Sequence, residues 1–399
     1  MKLWDHQQKI IDLNPKKHLL AHEVGTGKTL TAITLAKQNN QTALVICPKS
    51  IKQQWVEQVP VDWLVLHKEG FKKMWNIKDI PHYNALIVDE CHFFASPKSQ
   101  LTRSLLSYIS RYNPEYIYLL SGTPYTSSSW AIYTYGLILG KNWRWIDWDR
   151  KFFDHIKMGR LNVPVQKKKI NGTPTEEVIA SIVKSLGSTV RMEDTLGDQT
   201  MPEQIFETEY FELTSEQREA IASLTDLVAI TKWTHTHEIC GGSLKGDGYT
   251  PDKFFKSQKL DRILELAKEH PKFIVVCRYN LEIHRLEAEL HGYNVIVING
   301  DTKDVYRATQ EAERSDKCIV LIQAAVSAGY ELPSFPLMVF YSLDFSLVNY
   351  LQVIGRVSRR NALKRNVYLS LVIPKTIDED VWKCMQRKED FNIAIYNKN

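Results

Sequence analysis

Short apolar runs alternate with amphipathic, helix-like stretches in both halves of the chain. In the first half the apolar runs are Leu19-Leu20, 43–47, 64–66, 85–88 and 116–120. In the second half they are 273–277, 295–298, 318–322, 337–341 and 367–372. Alternation of this kind is typical of a parallel sheet with helices on both faces. The pattern therefore predicts an α/β protein with two parallel-sheet lobes in tandem.

The segment between these two regions, about 127 to 258, has a different pattern. It contains long helical periodicities, a basic stretch at 167–169 and a cluster of tryptophans, namely Trp130, Trp143, Trp145 and Trp148. We interpret it as helical insertions followed by a linker, which divides the chain into 1–126, 127–258 and 259–399. The tryptophans are expected to pack a helical protrusion, although indole rings also stack on nucleic-acid bases.

A glycine-rich turn follows the first apolar run. The segment Ala21 to Thr29 reads AHEVGTGKT and leads into an amphipathic stretch. Gly25 and Gly27, with Thr26 between them, allow consecutive backbone N–H groups to point at phosphate oxygens, at the positive end of the following helix. His22 stands where the general pattern has its first glycine, so the sequence predicts a variant phosphate-binding loop.

Four side chains near this turn and after a later strand have the chemistry that a nucleoside triphosphate requires. Lys28 would neutralise the β- and γ-phosphates, and Thr29 would offer its hydroxyl to Mg²⁺. The apolar run 85–88 ends in Asp89 and Glu90. We expect Asp89 to hold Mg²⁺ and Glu90 to orient and polarise the attacking water. Taken singly, each motif has a simpler explanation: a glycine-rich turn, or acids at a helix N-terminus.

Composition and charge limit the number of domains and the kinds of partner that we expect. The chain has 399 residues, 44% hydrophobic and 24% charged, which fits two ordinary globular domains. Its net charge of +5 is compatible with a nucleic-acid partner without indicating one. No apolar run is long enough for a membrane span, and the start lacks the apolar core of a signal peptide. With six cysteines scattered singly, we expect a cytoplasmic protein with reduced thiols and no membrane partner.

Blocks in the same order across nearly the whole chain resemble the superfamily-two helicases and translocases, most closely the Swi/Snf-type ATPases in a minimal form. In the first half the matching blocks are Leu3 to Gln7, Ala21 to Thr29, Ile46 to Ser50 with Gln54-Trp55, Asp89 to His92, and Ser121 to Pro124. In the second half they are Leu213 to Arg218, Ser257 to Leu260, Val275 to Tyr279, Asn299 to Thr302, Gln352 to Arg359 and Thr376 to Lys388. The shared order of these blocks carries the resemblance.

The resemblance implies two RecA-like lobes, with ATP and Mg²⁺ as cofactors. It implies that Gln7 reads the adenine base and that Gly329 belongs to a second nucleotide-facing motif, which usually has more glycines. It also implies that Lys49, Ser50 and Thr302 grip a nucleic-acid backbone.

The remaining implied roles concern hydrolysis and its coupling to movement. Ser121 and Thr123 match the motif that links hydrolysis to lobe movement. Gln352, Arg356 and Arg359 match the helix that supplies arginine fingers to the transferring phosphoryl group. The chain departs from the family at other positions, with Cys91 where many relatives carry Ala and Ser342 where relatives often carry Asp.

The function implied by the resemblance is that of a DNA-dependent ATPase motor on double-stranded DNA, which remodels forks or branched DNA, drives branch migration or displaces bound proteins. Two alternatives stay open: a strand-separating DNA or RNA helicase, and an ATP-dependent switch triggered by a partner protein. Candidate partners are replication or recombination proteins, and the expected state is a monomer. Chains without chromatin-reading modules resemble phage or bacterial forms, which would place the protein in a bacterial cytoplasm.

Overall fold

The structure, a computed structural model, describes residues 3–123, 128–158, 161–195, 202–225, 227–247, 249–326, 329–358 and 365–387. The chain divides into two compact units, Met1–Gln199 and Thr200–Asn399. Each unit contains a six-stranded sheet in which all neighbouring strands run parallel. The predicted α/β class with two tandem parallel-sheet lobes is therefore confirmed. Among the described residues, no helix has the length and apolar character to cross a membrane.

The first unit contains ten strands and eight helices among its described residues. The strands are β1 (Lys17–His22), β2 (Ala43–Cys47), β3 (Leu64–His67), β4 (Ala85–Val88), β5 (Tyr116–Leu120), β6 (Phe153–Met158), β7 (Leu161–Gln166), β8 (Lys169–Ile170), β9 (Thr173–Pro174) and β10 (Gly187–Val190). The helices are α1 (Asp5–Leu13), α2 (Lys28–Gln38), α3 (Lys52–Gln58), α4 (Lys68–Asn76), α5 (Gln100–Tyr112), α6 (Trp130–Ile138), α7 (Trp145–Phe152) and α8 (Thr175–Leu186).

The first sheet has the strand order β10-β1-β5-β4-β2-β3. Its central strands are almost wholly buried because helices cover both faces, which is why they appear in the sequence as unbroken apolar runs. Two antiparallel pairs, β6 with β7 and β8 with β9, lie outside this sheet.

The outermost strand of the first sheet comes from far along the chain. β10 pairs in parallel with β1, from Leu19 opposite Gly187 to His22 opposite Val190. A Cβ at Gly187 would lie 1.9 Å from the Leu19 carbonyl oxygen, so only glycine allows this close approach. The sequence does not reveal β10, because its four residues are short of apolar side chains and only partly buried.

The second unit contains eight strands and seven helices among its described residues. The strands are β11 (Glu203–Tyr210), β12 (Ser243–Leu244), β13 (Lys253–Phe254), β14 (Lys272–Cys277), β15 (Val295–Ile298), β16 (Cys318–Gln323), β17 (Leu337–Phe340) and β18 (Arg365–Val372). The helices are α9 (Ser215–Ala222), α10 (Ala229–Cys240), α11 (Gln258–Glu269), α12 (Asn280–Glu289), α13 (Val305–Arg314), α14 (Leu347–Val357) and α15 (Ile377–Gln386). The main sheet has the order β11-β18-β17-β14-β16-β15.

The segment 127–258 contributes strands to both sheets, whereas the sequence suggests helical insertions there. β10 extends the first sheet, and β11 extends the second by pairing with β18 over eight residues. Both are edge strands with mostly polar or half-buried side chains, so they lack the apolar run that marks the inner strands. The three-part division of the chain stays a prediction.

A buried ionic cluster ties together the helices of the second unit. Lys259, which is fully buried, places its Nζ 2.8 Å from Asp378 Oδ2 and donates to the Tyr341 carbonyl at 3.0 Å. His237 Nε2 lies 3.5 Å from the other carboxylate oxygen of Asp378. Burial alone would raise the pKa of Asp378, but Lys259 and His237 outweigh it and lower that pKa to about 2.

We expect Lys259→Met to destabilise the second unit by about 3–5 kcal/mol, because it leaves the Asp378 carboxylate buried without its cation. The variant Lys259→Met/Asp378→Asn should lose less, since an amide oxygen can still accept the hydrogen bond that Ile373 N donates to Asp378. Urea unfolding at pH 7 measures both variants. Equal midpoints for the single and double variants would contradict the assignment.

The lowered pKa of Asp378 also predicts how the folding stability depends on pH. A lowered carboxyl pKa gives stability that is present above the unfolded value near 3.9 and is lost as pH falls toward about 2. The double variant should therefore lose less stability than the wild type over this acid range.

Candidate functional site

The carboxyl ends of the first sheet's strands bring the predicted site residues to one edge. The loop at residues 23–27 follows β1, Lys49 follows β2, Asp89 follows β4 and Ser121 follows β5. Because all these strands run parallel, their carboxyl ends lie along the same edge, which is where open α/β sheets bind ligands.

The backbone of the loop after β1 has the conformation that its glycines predict. Gly25 has φ of 88° and Gly27 has φ of 79°, in the left-handed region, and α2 begins directly afterwards at Lys28. A Cβ at Gly27 would also lie 2.4 Å from Gln7 Nε2. The loop therefore leads into the N-terminus of α2, whose first N–H groups have no partner within the helix, and glycine is required at the last position of the loop.

Side chains of the loop fold back onto its own carbonyl groups. Lys28 Nζ donates to the carbonyl oxygens of His22 at 2.8 Å and Glu23 at 3.0 Å, and Thr26 Oγ1 donates to Glu23 O at 2.7 Å. Thr29 lies half-buried in the first turn of α2. The arrangement holds an ammonium group beside the helix N-terminus, where an anionic phosphate would be stabilised by both.

The acid pair lies at the end of β4, and its first member is held from two sides. Asp89 Oδ2 accepts a hydrogen bond from Trp55 Nε1 at 2.8 Å, and Oδ1 accepts one from Glu90 N at 2.9 Å. Burial and the neighbouring Glu90 raise the pKa of Asp89, and Trp55 and Lys28 oppose this shift only in part. A buried carboxylate oriented in this way fits a hard cation, because each oxygen keeps a further lone pair.

Glu90 has a strained backbone at the same edge. Its φ of 50° and ψ of 55° place a non-glycine residue in the left-handed region, and its side chain is also buried. Glu90 Oε2 lies 3.2 Å from His92 Nδ1. Strain of this kind persists where the surroundings over-determine it, which is common at functional sites.

The N-terminal side of the loop is tied to β10, an anchor that the sequence did not reveal. Glu23 Oε2 accepts a hydrogen bond from Met192 N at 2.8 Å. The Nε2 atoms of His22 and His18 lie 2.7 and 2.9 Å from Ser188 Oγ. His22 therefore serves as a strand residue bonded to the added strand, which explains why a histidine stands where the general loop pattern has glycine.

The turn after β5 approaches the phosphate loop. A Cβ at Gly122 would lie 3.0 Å from Val24 Cγ2 and 3.7 Å from the His22 carbonyl oxygen. Ser121 is buried, and its Oγ accepts a hydrogen bond from Thr123 N at 3.1 Å. The turn therefore packs against the loop after β1. The coupling role of Ser121 and Thr123 stays a prediction.

Gln7 also lies beside the phosphate loop, but its side-chain amide forms hydrogen bonds to other residues of the protein. Gln7 Oε1 accepts a hydrogen bond from Trp4 N at 2.8 Å, and Nε2 donates to Gly27 O at 3.1 Å. The side chain is 2% exposed. Its contacts tie α1 to the loop, and the base-reading role stays a prediction.

The three residues that are predicted to contact a nucleic-acid backbone follow strands of their own units. In the first unit, Lys49 is exposed and Ser50 half-buried in a short 3₁₀ turn, Lys49–Ile51, after β2. In the second unit, Thr302 Oγ1 accepts from Asn299 N at 3.0 Å and donates to Val297 O at 3.1 Å. Thr302 thus closes the turn after β15, and contact with nucleic acid stays a prediction for all three residues.

The second unit also holds the remaining predicted nucleotide-site residues. Gly329 has φ of 95°, so this position requires glycine. Gln352 and Arg356 are buried on α14, and the Arg356 guanidinium lies 5.9 Å from the centre of the Tyr330 ring. Arg359 lies outside the described residues.

This geometry, a glycine-rich loop between a buried strand and a helix at the carboxyl edge of a parallel sheet, is the geometry found in P-loop nucleotide-binding proteins. Two family profiles match the chain in the predicted order. Residues 11–68 match the SNF2-related domain, and residues 256–361 match the helicase conserved C-terminal domain. These matches support a superfamily-two helicase or translocase of the Swi/Snf type, which is an ATP-hydrolysing enzyme.

Individual relatives are distant. A SWI/SNF-related matrix-associated actin-dependent regulator of chromatin subfamily A-like protein 1 homolog from Caenorhabditis elegans is 21% identical over 93% of this chain and 58% of its own length. The ATP-dependent RNA helicase DBP3 of Yarrowia lipolytica is 28% identical over 25% of this chain and 20% of its own length. The chain thus spans little more than half of the first relative and a fifth of the second. The Sulfolobus solfataricus SWI2/SNF2 ATPase core in complex with dsDNA is 17% identical, with a TM-score of 0.42 over 97% of this chain and 91% of that one.

The two histidines that share Ser188 generate a pH prediction. Burial, assisted by Lys28, lowers the pKa of His22 from 6.5 to about 3, and burial lowers that of His18 to about 4. The unfolded chain therefore takes up protons first, and stability is lost as pH falls from 6.5 toward these values. We expect His22→Gln to reduce the loss of stability between pH 7.5 and 4.5 by roughly 2–3 kcal/mol.

Urea unfolding at the two pH values measures this difference. The control is His291→Gln, which replaces an exposed histidine of the second unit and leaves His18, His22 and Ser188 in place. If His22→Gln and wild type lose equal stability on acidification, the histidine is not buried neutral beside the loop.

Proposed function

We propose that this chain is a DNA-dependent ATPase that moves along double-stranded DNA and remodels forks or branched DNA or displaces bound proteins. One observation carries the proposal: Lys28, Asp89 and Glu90 converge at one sheet edge in a chain that matches the SNF2-related domain. The convergence supports ATP hydrolysis, and the family supports a motor. Replication or recombination proteins are the proposed partners.

The residues at the edge fit ATP with Mg²⁺. The N–H groups of the loop and the Lys28 ammonium would bind the phosphates, and Asp89 and Thr29 would offer the oxygen ligands that Mg²⁺ prefers. When bound, Mg²⁺ neutralises charge on the β- and γ-phosphates. Glu90 would accept a hydrogen bond from the attacking water and so orient it toward the phosphorus.

The second unit would contribute the residues that make hydrolysis depend on nucleic acid. Under the proposal, Arg356 and Arg359 stabilise the charge of the transferring phosphoryl group, an effect worth about 10³–10⁵ in rate in related chemistry. Lys49, Ser50 and Thr302 would contact the nucleic-acid backbone. Such contacts carry no base information, so binding should be largely independent of sequence and should weaken with salt.

The test is steady-state ATP hydrolysis without nucleic acid and with duplex DNA, single-stranded DNA, a four-way junction or RNA. We expect duplex or junction DNA to stimulate turnover, Lys28→Ala to abolish it, and Glu90→Gln to bind ATP without turning it over. Stimulation only by single strands or RNA would favour a helicase. No stimulation by any nucleic acid would favour a switch triggered by a protein partner.

A strand-separating helicase is the second candidate, because the structure contains an exposed hairpin of the kind that such activity uses as a wedge. β6 and β7 pair antiparallel, and Ile156 and Val165 are 40% and 39% exposed. The register pairs Ile156 with Val163, so these apolar side chains share one face. Exposed apolar side chains of this kind can insert between base steps.

If the hairpin separates strands, Ile156→Ala/Val165→Ala should reduce unwinding of a forked duplex at least tenfold and leave nucleic-acid-stimulated ATP hydrolysis unchanged. A gel assay of strand release measures unwinding. The matched control is Val61→Ala, which removes a fully exposed apolar side chain from the same unit. Absence of unwinding by the wild-type protein would reject this candidate.

A further inference from the structure

A cleft with an aromatic wall lies in the first unit, away from the phosphate loop. Its volume is about 380 Å³, within the range of small-molecule pockets. Asn142 and Trp143, which precede α7, line it together with Trp148 and Lys151 of α7 and Ser185 of α8. None of the site residues described above contributes to it.

The aromatic wall is held rigidly. The rings of Trp143 and Trp148 stack with their centres 4.9 Å apart and their planes 26° from parallel. A Cβ at Gly136 would lie 2.0 Å from the Trp143 ring, so this indole is seated directly on the backbone of α6. Trp148 is buried, whereas Trp143 keeps part of its surface exposed at the cleft. A fixed, partly exposed ring of this kind is a platform on which a planar ligand can stack.

The polar groups around the wall favour an anionic ligand. Arg144 and Lys151 are exposed cations at the cleft, and Asp147 is the one acidic residue in its lining. The Arg144 Nε atom lies 3.7 Å from the Asp147 carboxylate, so one net positive charge remains.

We propose that this cleft binds a nucleotide, with the base against the exposed part of Trp143 and the phosphate near Arg144 and Lys151. A planar base matches the fixed indole ring, and the phosphate matches the net charge. The stacked indoles leave no empty cage for a cation, and the two basic residues oppose one. The ligand is either a free nucleotide or an unpaired nucleotide in a strand, and only the second source rests on the proposed DNA function.

The test is photocrosslinking, because 5-iodouracil reacts under near-ultraviolet light with aromatic side chains stacked on it. The probes are free 5-iodo-deoxyuridine monophosphate and an oligonucleotide duplex with one unpaired 5-iodo-deoxyuridine, each followed by peptide mapping. We expect crosslinks at Trp143. Crosslinks with the oligonucleotide alone identify a strand as the source, and crosslinks with both probes show that a free nucleotide suffices. Crosslinks only elsewhere, or none with either probe, would overturn the proposal.

Variants separate ligand contact from structural packing. At probe concentrations below saturation, Lys151→Gln should lower the crosslink yield at Trp143 about two- to fivefold, because it removes a cation at the cleft. Arg103→Gln on α5 removes an exposed cation away from the cleft and should not change that yield. Equal yields in the two variants would contradict ligand contact.

This outcome is independent of the ATPase proposal. The crosslink is assigned by residue, so probe bound at the phosphate loop gives different peptides from probe bound in the cleft. A protein that lacks nucleic-acid-stimulated hydrolysis but crosslinks at Trp143 would refute the motor and keep the cleft. A protein with nucleic-acid-stimulated hydrolysis but no crosslink at Trp143 would support the motor and refute the cleft.

Discussion

Both units depend on one geometric constraint, which is that all strands of a parallel sheet end at the same edge. The inner strands are buried on both faces, so their side chains are needed for packing and cannot serve a ligand. Polar chemistry is therefore confined to the loops at the carboxyl edge. In the first unit this constraint brings together the phosphate loop, the acid pair and the turn at Ser121, although they are up to about a hundred residues apart in sequence.

Asp89 and Asp378 are both buried, but their neighbours shift their pKa values in opposite directions. Asp378 has a permanent cation in Lys259, and its pKa is lowered. Asp89 has neutral N–H donors and an acidic neighbour, and its pKa is raised. Burial acts in the same direction on both, so the difference comes from the partners. Asp378 is stabilised by the cation of its own unit, whereas the charge of Lys28 opposes the raised pKa of Asp89 only in part.

The fold and much of the site could be predicted because their signals are local. All ten apolar runs lie on strands of the two sheets, and Gly25 and Gly27 have the positive φ values that their loop requires. Contacts between residues that are far apart in the sequence cannot be recognised from a local sequence pattern. Nothing in the local sequence shows that Trp55 donates to Asp89 or that Ser188 bonds His22. Gln7 illustrates the same limit, since a motif position does not show that its amide is engaged by Gly27.

The added strand β10 makes the segment after residue 127 part of the nucleotide site's support. Glu23 and His22 bond to residues more than 160 positions away, and the parallel pairing of β10 with β1 continues up to the first residue of the loop. These long-range contacts make the conformation of the phosphate loop depend on the same segment that carries the aromatic cleft. A variant loop with histidine in place of glycine is stable here because β10 supplies the partner for that side chain.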